Sequence, residues 1–347
     1  MIDRKSFSKE WIESISDIPH FGGQMIVERT IYAFYLLEKI TKSHLDGHYI
    51  FKGGTSVMLL FQQTKRFSVD IDLLVDPALE KKTPNIVLSF KDDVFYRVEE
   101  DVRKPSPIRK RHFKCFYHSS VRPENSSCYV LLDVVFSSNP YHRIERRAIT
   151  FPWLLFREPP KQVSTPSASD LLGDKLCAFA PHTVGVLFQD GKDVETIKQM
   201  YDVARLLEYP GIDLETAFKT YEKLVKQQSL SRGLPHQLFA VMDDTLETCR
   251  QIIAKGKRKD AEDDYSHLRH GFDSFHSFLP CKYTEVDWLR DASRIYMYLA
   301  RKRFRQSRKD PASNNGTFVG RRYRLLRLAL KDQITDFMIA VANDPEA

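Results

Sequence analysis

The sequence predicts an α/β unit followed by an all-helical unit. Two observations carry that prediction. From Met25 to Leu207, short strand-like runs alternate with stretches of helical periodicity, and after Tyr209-Pro210-Gly211 the pattern is helical almost throughout. The break at Pro210 sets the expected boundary between residues 1–209 and residues 210–347. A chain of 347 residues has room for two such units, at about 100–200 residues each.

Each element has its own signal. Ile26, Ile31, Phe34, Tyr35, Leu37 and Ile40 recur near helical spacing, so 25–42 reads as an amphipathic helix, closed by the Asp46-Gly47 turn. Tyr49-Ile50-Phe51 is a short strand. It runs through Lys52-Gly53-Gly54-Thr55 into a helix from Ser56 to Gln62. Ser68 to Val75 is an alternating strand that puts Asp70 and Asp72 on one face. Strand-like runs follow at Val94–Val98, Phe113–Tyr117 and Tyr129–Phe136, and Asp133 sits among Leu131, Leu132, Val134 and Val135 in the last. Thr165 to Asp170 is rich in capping residues and opens a helix reaching about Phe179. A loop holds Gly191, and Thr196–Leu207 is a helix with Ile197, Met200, Tyr201, Ala204 and Leu207 on one side. Beyond Pro210, helical stretches run over 214–228, 237–255 and 286–305. Asn314-Asn315-Gly316 separates a last helix of 321–342, and no internal repeat is present.

Composition excludes several classes. Hydrophobic residues at 42% and charged residues at 29% rule out collagen-like and wholly disordered chains. No apolar run approaches the length of about 18 residues that a membrane-spanning helix needs. Met1-Ile2-Asp3-Arg4-Lys5 lacks the apolar stretch of a secretory signal. Five scattered cysteines (Cys115, Cys128, Cys177, Cys249 and Cys281) suggest a reducing compartment, so a cytoplasmic location is expected.

The net charge of +7 is unevenly distributed. Residues 301–331 hold eleven Lys/Arg against one acid, and 103–114 holds six against none, so the rest of the chain is net acidic. Such patches suit phosphate backbones, although charge runs are often only solvated. On a helix around 288–309, Arg290, Arg294, Arg301, Arg305 and Arg308 fall within an arc of about 60°. Trp288, Leu289, Ile295 and Leu299 lie opposite. Few acids are near in sequence, so this stripe is a plausible track for an RNA backbone. Tyr296, Tyr298 and Phe304 read more naturally as core than as stacking residues.

The chemically informative block runs from Lys52 to Asp72. A Gly-rich turn at a helix start exposes N–H groups that can cradle phosphate. Two carboxylates two residues apart on a strand can share hard cations. Asp133, inside an apolar strand, needs a partner: an arginine, or a metal shared with Asp70 and Asp72. Two metals held by three carboxylates serve in-line phosphoryl or nucleotidyl transfer. A zinc site built from His112, Cys115, His118 and Cys128 is set aside, because Cys115 falls on the opposite strand face and no Cys-x-x-Cys pair exists.

Phe51-Lys52-Gly53-Gly54-Thr55 followed by Arg66-Phe67-Ser68-Val69-Asp70-Ile71-Asp72-Leu73 resembles the AbiEii/AbiGii toxin family within the polymerase-β-like nucleotidyltransferase superfamily. Leu172 to Phe179 resembles its lysine-bearing helix, and Lys198-Gln199-Met200-Tyr201-Asp202-Val203 its Lys-x-x-Tyr-Asp helix. The resemblance covers about Lys52 to Leu207, and nothing beyond 210 is matched. It implies a nucleotidyltransferase fold with a mixed sheet. Asp70, Asp72 and Asp133 would hold Mg²⁺, and two ions are expected. Gly53, Gly54 and Thr55 would contact nucleotide phosphates, Lys175 would reach the triphosphate, and Asp202 would complete the site. Ser68 is a further phosphate donor or a structural hydroxyl. Arg66 is expected to be a surface cation, with nucleotide contact as the other reading. Lys175 has Asp174, and Asp202 has Lys198, as alternative surface partners. The implied function is NMP transfer from an NTP to an RNA acceptor, with the tRNA 3′ end foremost, blocking translation in a toxin–antitoxin or phage-defence system with a separately encoded antitoxin. A protein or small-molecule hydroxyl as acceptor, and a non-catalytic nucleic-acid-binding module on the same scaffold, are the alternatives. Arg294, Arg301, Arg305 and Arg308 are the expected acceptor-binding residues.

Overall fold

The computed structural model describes residues 1–16, 23–103, 107–124, 128–188, 192–235, 238–256 and 262–309. Five strands form one sheet: β1 (Tyr49–Lys52), β2 (Ile71–Val75), β3 (Arg97–Glu100), β4 (Lys110–Phe116) and β5 (Tyr129–Phe136), in the order β1-β2-β5-β4-β3. β2 and β5 pair parallel while the other neighbours are antiparallel, so the sheet is mixed, as expected. Strand alternation divides its residues between two faces. Ile71, Leu73 and Val75 of β2, Phe113 and Cys115 of β4, and Val130, Leu132, Val134 and Phe136 of β5 are buried in one core. Helices α1 (Lys9–Ser16) and α2 (Gly23–Ile40) add Ile12, Val27, Ile31, Phe34 and Leu37 to it. The opposite face carries Asp72, His112 and Asp133.

Helix α3 (Gly53–Phe61) starts directly after β1, and α4 (Thr83–Leu88) leads toward β3. A hairpin of β6 (Ile144–Ala148) and β7 (Gln162–Pro166) precedes α5 (Ala168–Ala178) and α6 (Asp193–Leu207). The remaining helices are α7 (Leu214–Ser231), α8 (Leu238–Ile253), α9 (Glu262–Phe275) and α10 (Glu285–Lys309). Leu171, Leu176, Ile197, Met200, Tyr221, Val225, Met242, Phe275, Trp288 and Leu299 form a second core shared by α5 to α10. Local signals start these helices: Ser167 Oγ accepts from the Asp170 N–H, and the Asp213 carboxylate accepts from the N–H groups of Glu215 and Thr216.

Some boundaries differ from expectation for physical reasons. The run at 94–98 enters the sheet only at Arg97, because the Asp92 carboxylate takes the N–H groups of Val94 and Phe95 into a turn. Residues 68–70 do not join the ladder of β2, and the Ser68 N–H faces Met58 Sδ at 3.1 Å. The β6–β7 hairpin lacks the alternation that announces a strand. The Gly191 loop residue, the Asn314-Asn315-Gly316 break and the expected helix of 321–342 lie outside the described residues.

Candidate active site

The turn between β1 and α3 is shaped by its two glycines. Gly53 has φ +78°, a left-handed conformation that favours glycine. A Cβ on Gly54 would stand 2.6 Å from both Arg66 Nη2 and Ser68 Oγ, so the turn lies flat against the chain entering β2. Thr55 Oγ1 fixes that approach by donating to the Asp70 carbonyl at 2.6 Å, with Ser68 Oγ 3.1 Å away. The first turn of α3 therefore faces the acid-bearing strand.

Register brings the acids together. Asp72 of β2 is paired with Asp133 of β5, and Asp133 in turn with His112 of β4, so all three stand in one row across the sheet. His112 Nδ1 lies 2.6 Å from Asp133 Oδ1. A carboxylate only accepts, so Nδ1–H donates to Asp133 and Nε2 is the ring nitrogen left without a protein partner among the described residues. Burial, followed by the charge of Asp133, pushes the Asp72 carboxyl up to about 7. Burial also raises Asp70, against the opposing pull of Arg29, whose Nη2 is 3.5 Å from Oδ1. Among the described residues, no three such side chains converge closely enough to hold a metal ion unaided. The mutually repelling Asp72–Asp133 pair nonetheless fits a hard cation. Mg²⁺ commonly takes one or two carboxylates and completes its shell with water and substrate phosphates.

The cations are arranged differently from the sequence expectation. Arg66 is no surface group: it is 5% exposed and grips Asp202 through Nε and Nη2, each at 2.6 Å. Lys175 is also buried, with Nζ 3.0 Å from Asp202 and 3.0 Å from Gln199 Oε1. Asp174 instead faces Lys52 at 3.6 Å, and Lys198 pairs with Glu195 at 2.7 Å. Neither surface pairing considered for Lys175 and Asp202 is formed. Burial would raise Asp202, but Arg66 and Lys175 outweigh it and hold the carboxyl below its usual range. Asp202 thus acts on the site through the two cations it positions.

These groups line a cavity of about 530 Å³. Gly54, Ser68, Asp70, Asp72, Asp133 and Lys175 are all in its wall. So are Arg66, Arg103, Lys110, Lys192, Lys198 and Arg232, which give seven Lys/Arg with Lys175 against four acids once Glu195 is counted. That surplus suits a polyanion bound over a carboxylate pair. Lys192 and Arg232 were not singled out by sequence reasoning, and His112 entered it only in the zinc grouping that was set aside. Lys110 and His112 carried a faint signal, sharing strand parity within the basic run of 103–114. Much of that run is neutralised: Arg103 and Lys114 meet Asp101, Arg111 meets Glu100, and Arg109 meets Glu80.

The arginine stripe on α10 meets more acid than its local sequence suggests. Arg290 pairs with Asp287 at 2.7 Å, and Arg294 with Glu208 at 2.5 Å and Asp291 at 3.4 Å. Arg305 is 3.8 Å from Glu215 but remains half-exposed, and Arg301 is exposed. Asp287 and Asp291 belong to α10 itself, whereas Glu208 just after α6 and Glu215 of α7 arrive by packing, which sequence proximity does not reveal. The Arg308 side chain lies outside the described residues. Tyr296 is buried in the helical core, as expected.

Carboxylates paired across a mixed sheet, facing a cation-lined cavity, are equipment for moving phosphate-linked groups. The sequence comparison makes the class specific. The model of the nucleotidyl transferase AbiEii toxin family, a type IV toxin–antitoxin family, matches residues 35–294, and the chain belongs to that family. It is therefore a nucleotidyltransferase of the toxin–antitoxin kind, and the family implies an antitoxin partner. The match extends well past residue 210, so α7, α8, α9 and part of α10 belong to the family's shared sequence. No curated protein matches the sequence. Among solved structures, the chain is similar to the nucleotidyltransferase toxin MenT4 of Mycobacterium tuberculosis H37Rv, with TM-score 0.48 and 12% identity over 80% of this chain and 94% of that one. Among the described residues, no helix is long and apolar enough to cross a membrane.

Proposed function

We propose that the protein transfers NMP from an NTP to an RNA acceptor in a Mg²⁺-dependent reaction, with a tRNA 3′ end as the leading acceptor. The observation that carries this reading is the Asp72–Asp133 pair at the edge of the cation-rich cavity. Gly53, Gly54, Thr55 and Ser68 cradle the triphosphate in this reading, and Lys175 and Lys198 offset charge as pyrophosphate leaves. Asp72 and Asp133, with Asp70 beside them, would hold the Mg²⁺. When bound, Mg²⁺ supplies charge neutralisation and activation of the attacking oxygen. Arg66 and Asp202 hold Lys175 in place, while His112 orients Asp133. We assign catalysis to residues 1–209 and acceptor binding to residues 210–347, with exposed Arg301 and Arg305 holding the RNA backbone in the cell's cytoplasm. Inhibition of translation, and a role in phage defence, would follow from blocking tRNA.

Incubation with labelled NTPs, Mg²⁺ and total RNA tests the proposal. Label on RNA that disappears with Asp72→Asn is the expected result. Label on protein alone, or on nothing, overturns it.

A further inference from the structure

A second cavity, of about 240 Å³, adjoins the same acids. It shares Asp72, Lys110, His112 and Asp133 with the larger cavity, but none of Gly54, Ser68, Lys175 or Lys198. Val135, Tyr141 and Leu224 give it apolar walls, and Gln227 and Gln228 of α7 bring amides to it. Lys52 and Asp174 join the shared acids in the rest of its wall, and a pocket that sets apolar walls beside convergent polar groups suits a small ring system with a hydrogen-bonding edge. Ser138 Oγ occupies the Gln227 amide at 3.1 Å, whereas the Gln228 side chain makes no hydrogen bond to any described residue. His112 is 6% exposed and its Nε2 has no partner among the described residues. Two polar groups at its wall thus lack a protein partner among the described residues, one deeply buried beside the acids and one half-buried on α7.

In-line displacement places the attacking oxygen opposite the leaving one. With the leaving pyrophosphate in the glycine–lysine cradle, the attacking oxygen needs space that touches Asp72 and Asp133 but not Gly54 or Lys175, and the smaller cavity is lined in that way. A row of cations approaches it. Lys219, Lys223 and Lys226 are exposed along α7 at helical spacing, and none makes an ion pair with a described residue. Lys223 Nζ donates to the Asn139 carbonyl at 3.1 Å, next to the Pro140 and Tyr141 that line the cavity. At its other end α7 meets α10, where Glu215 contacts Lys302 and Arg305.

We propose that the smaller cavity seats the terminal nucleoside of a single-stranded RNA acceptor, with the α7 lysines holding the preceding phosphates. This assignment rests on the RNA-acceptor reading above. Gln228 meets the edge of the base, and His112 Nε2 hydrogen-bonds the terminal ribose. A terminal hydroxyl oxygen forms the new bond to the α-phosphorus. The bond from that phosphorus to pyrophosphate breaks, and the hydroxyl proton is released to water.

The test uses the full-length protein, Mg²⁺, labelled NTPs and four RNA oligonucleotides that differ only in their terminal nucleoside. Gln228→Leu should raise the RNA KM about tenfold, the size of one lost hydrogen bond, and flatten the preference among the four RNAs. Its NTP KM should stay within about twofold of wild type. The double variant Lys223→Glu/Lys226→Glu should raise the RNA KM and reduce its salt dependence. A change in selection among NTPs with RNA use intact would place the NTP base in the cavity and overturn the assignment. So would unaltered RNA kinetics in both variants. Wild-type protein that labels none of these RNAs but does label total RNA overturns the pocket assignment alone, whereas failure to label any RNA overturns the acceptor reading with it.

Discussion

Gly53 lies directly beneath Asp72: a Cβ added at Gly53 would stand 2.6 Å from Asp72 Cγ and nearer still to Oδ2. Gly53 also adopts φ +78°, so a side chain there is opposed by the backbone as well as by the carboxylate. Gly53→Ala should move Asp72 out of its row with Asp133. We expect transfer activity to fall about 100-fold, since displacement of a positioned catalytic group by 1 Å is felt on that scale. Labelled-NMP transfer at saturating NTP measures it. Activity near wild type would mean that Asp72 can shift without consequence.

Arg66 and Asp202 form a buried ion pair that also anchors Lys175. Arg66→Met should leave Asp202 with one cation instead of two. Breaking a buried pair of this kind costs about 3–5 kcal/mol, and the remaining Lys175 should hold the loss near the lower figure. Denaturant unfolding followed by circular dichroism reads the change. A shift under about 1 kcal/mol would show the pair to be energetically idle.

Asp72 predicts a pH dependence with a definite sign. Its folded-state carboxyl is raised to about 7, chiefly by burial and then by Asp133. The resulting contribution to stability is fully present below the ordinary carboxylate range and is lost as pH rises through about 7. Asp72→Asn should therefore stabilise the metal-free protein by about 2 kcal/mol near pH 8 and hardly at all near pH 4, while abolishing transfer. Thermal melts at the two pH values check this. Mg²⁺ binding near pH 6.5 should release up to about one proton, visible by calorimetry in buffers of different ionisation enthalpy.

The α10 arginines should separate into two behaviours. Arg301→Glu/Arg305→Glu should weaken RNA use and lower its salt dependence, with NTP KM unchanged. Arg294→Ala should act on stability instead, because its guanidinium meets Glu208 and Asp291. RNA titrations at two salt concentrations, alongside unfolding curves, tell the two apart.

The sequence made the row of acids half visible. Alternation placed Asp70 and Asp72 on one face, and the apolar run around Asp133 marked a buried strand. What sequence could not supply was register. Only the parallel pairing of β2 with β5 sets Asp72 against Asp133, and only the antiparallel pairing with β4 gives Asp133 its histidine. Arg66 was misread for the same reason, since its partner lies 136 residues away on α6. The arginine stripe was legible as geometry but not as free charge. Glu208 and Glu215 become its neighbours only when the helices pack.

The segment just before β2 is clasped by the helical half of the chain. Phe67 N–H donates to the Phe278 carbonyl at 2.7 Å, and the Tyr201 hydroxyl donates to the Lys65 carbonyl at 2.9 Å. Arg66 between them is closed over by Asp202. The consequence is one of timing. A nascent chain can complete its sheet early, but the clasp on the segment that backs the Gly54 turn waits until Phe278 has emerged from the ribosome. A product truncated before Phe278 therefore lacks one of the contacts that hold Lys65, Arg66 and Phe67 in place ahead of the acid-bearing strand.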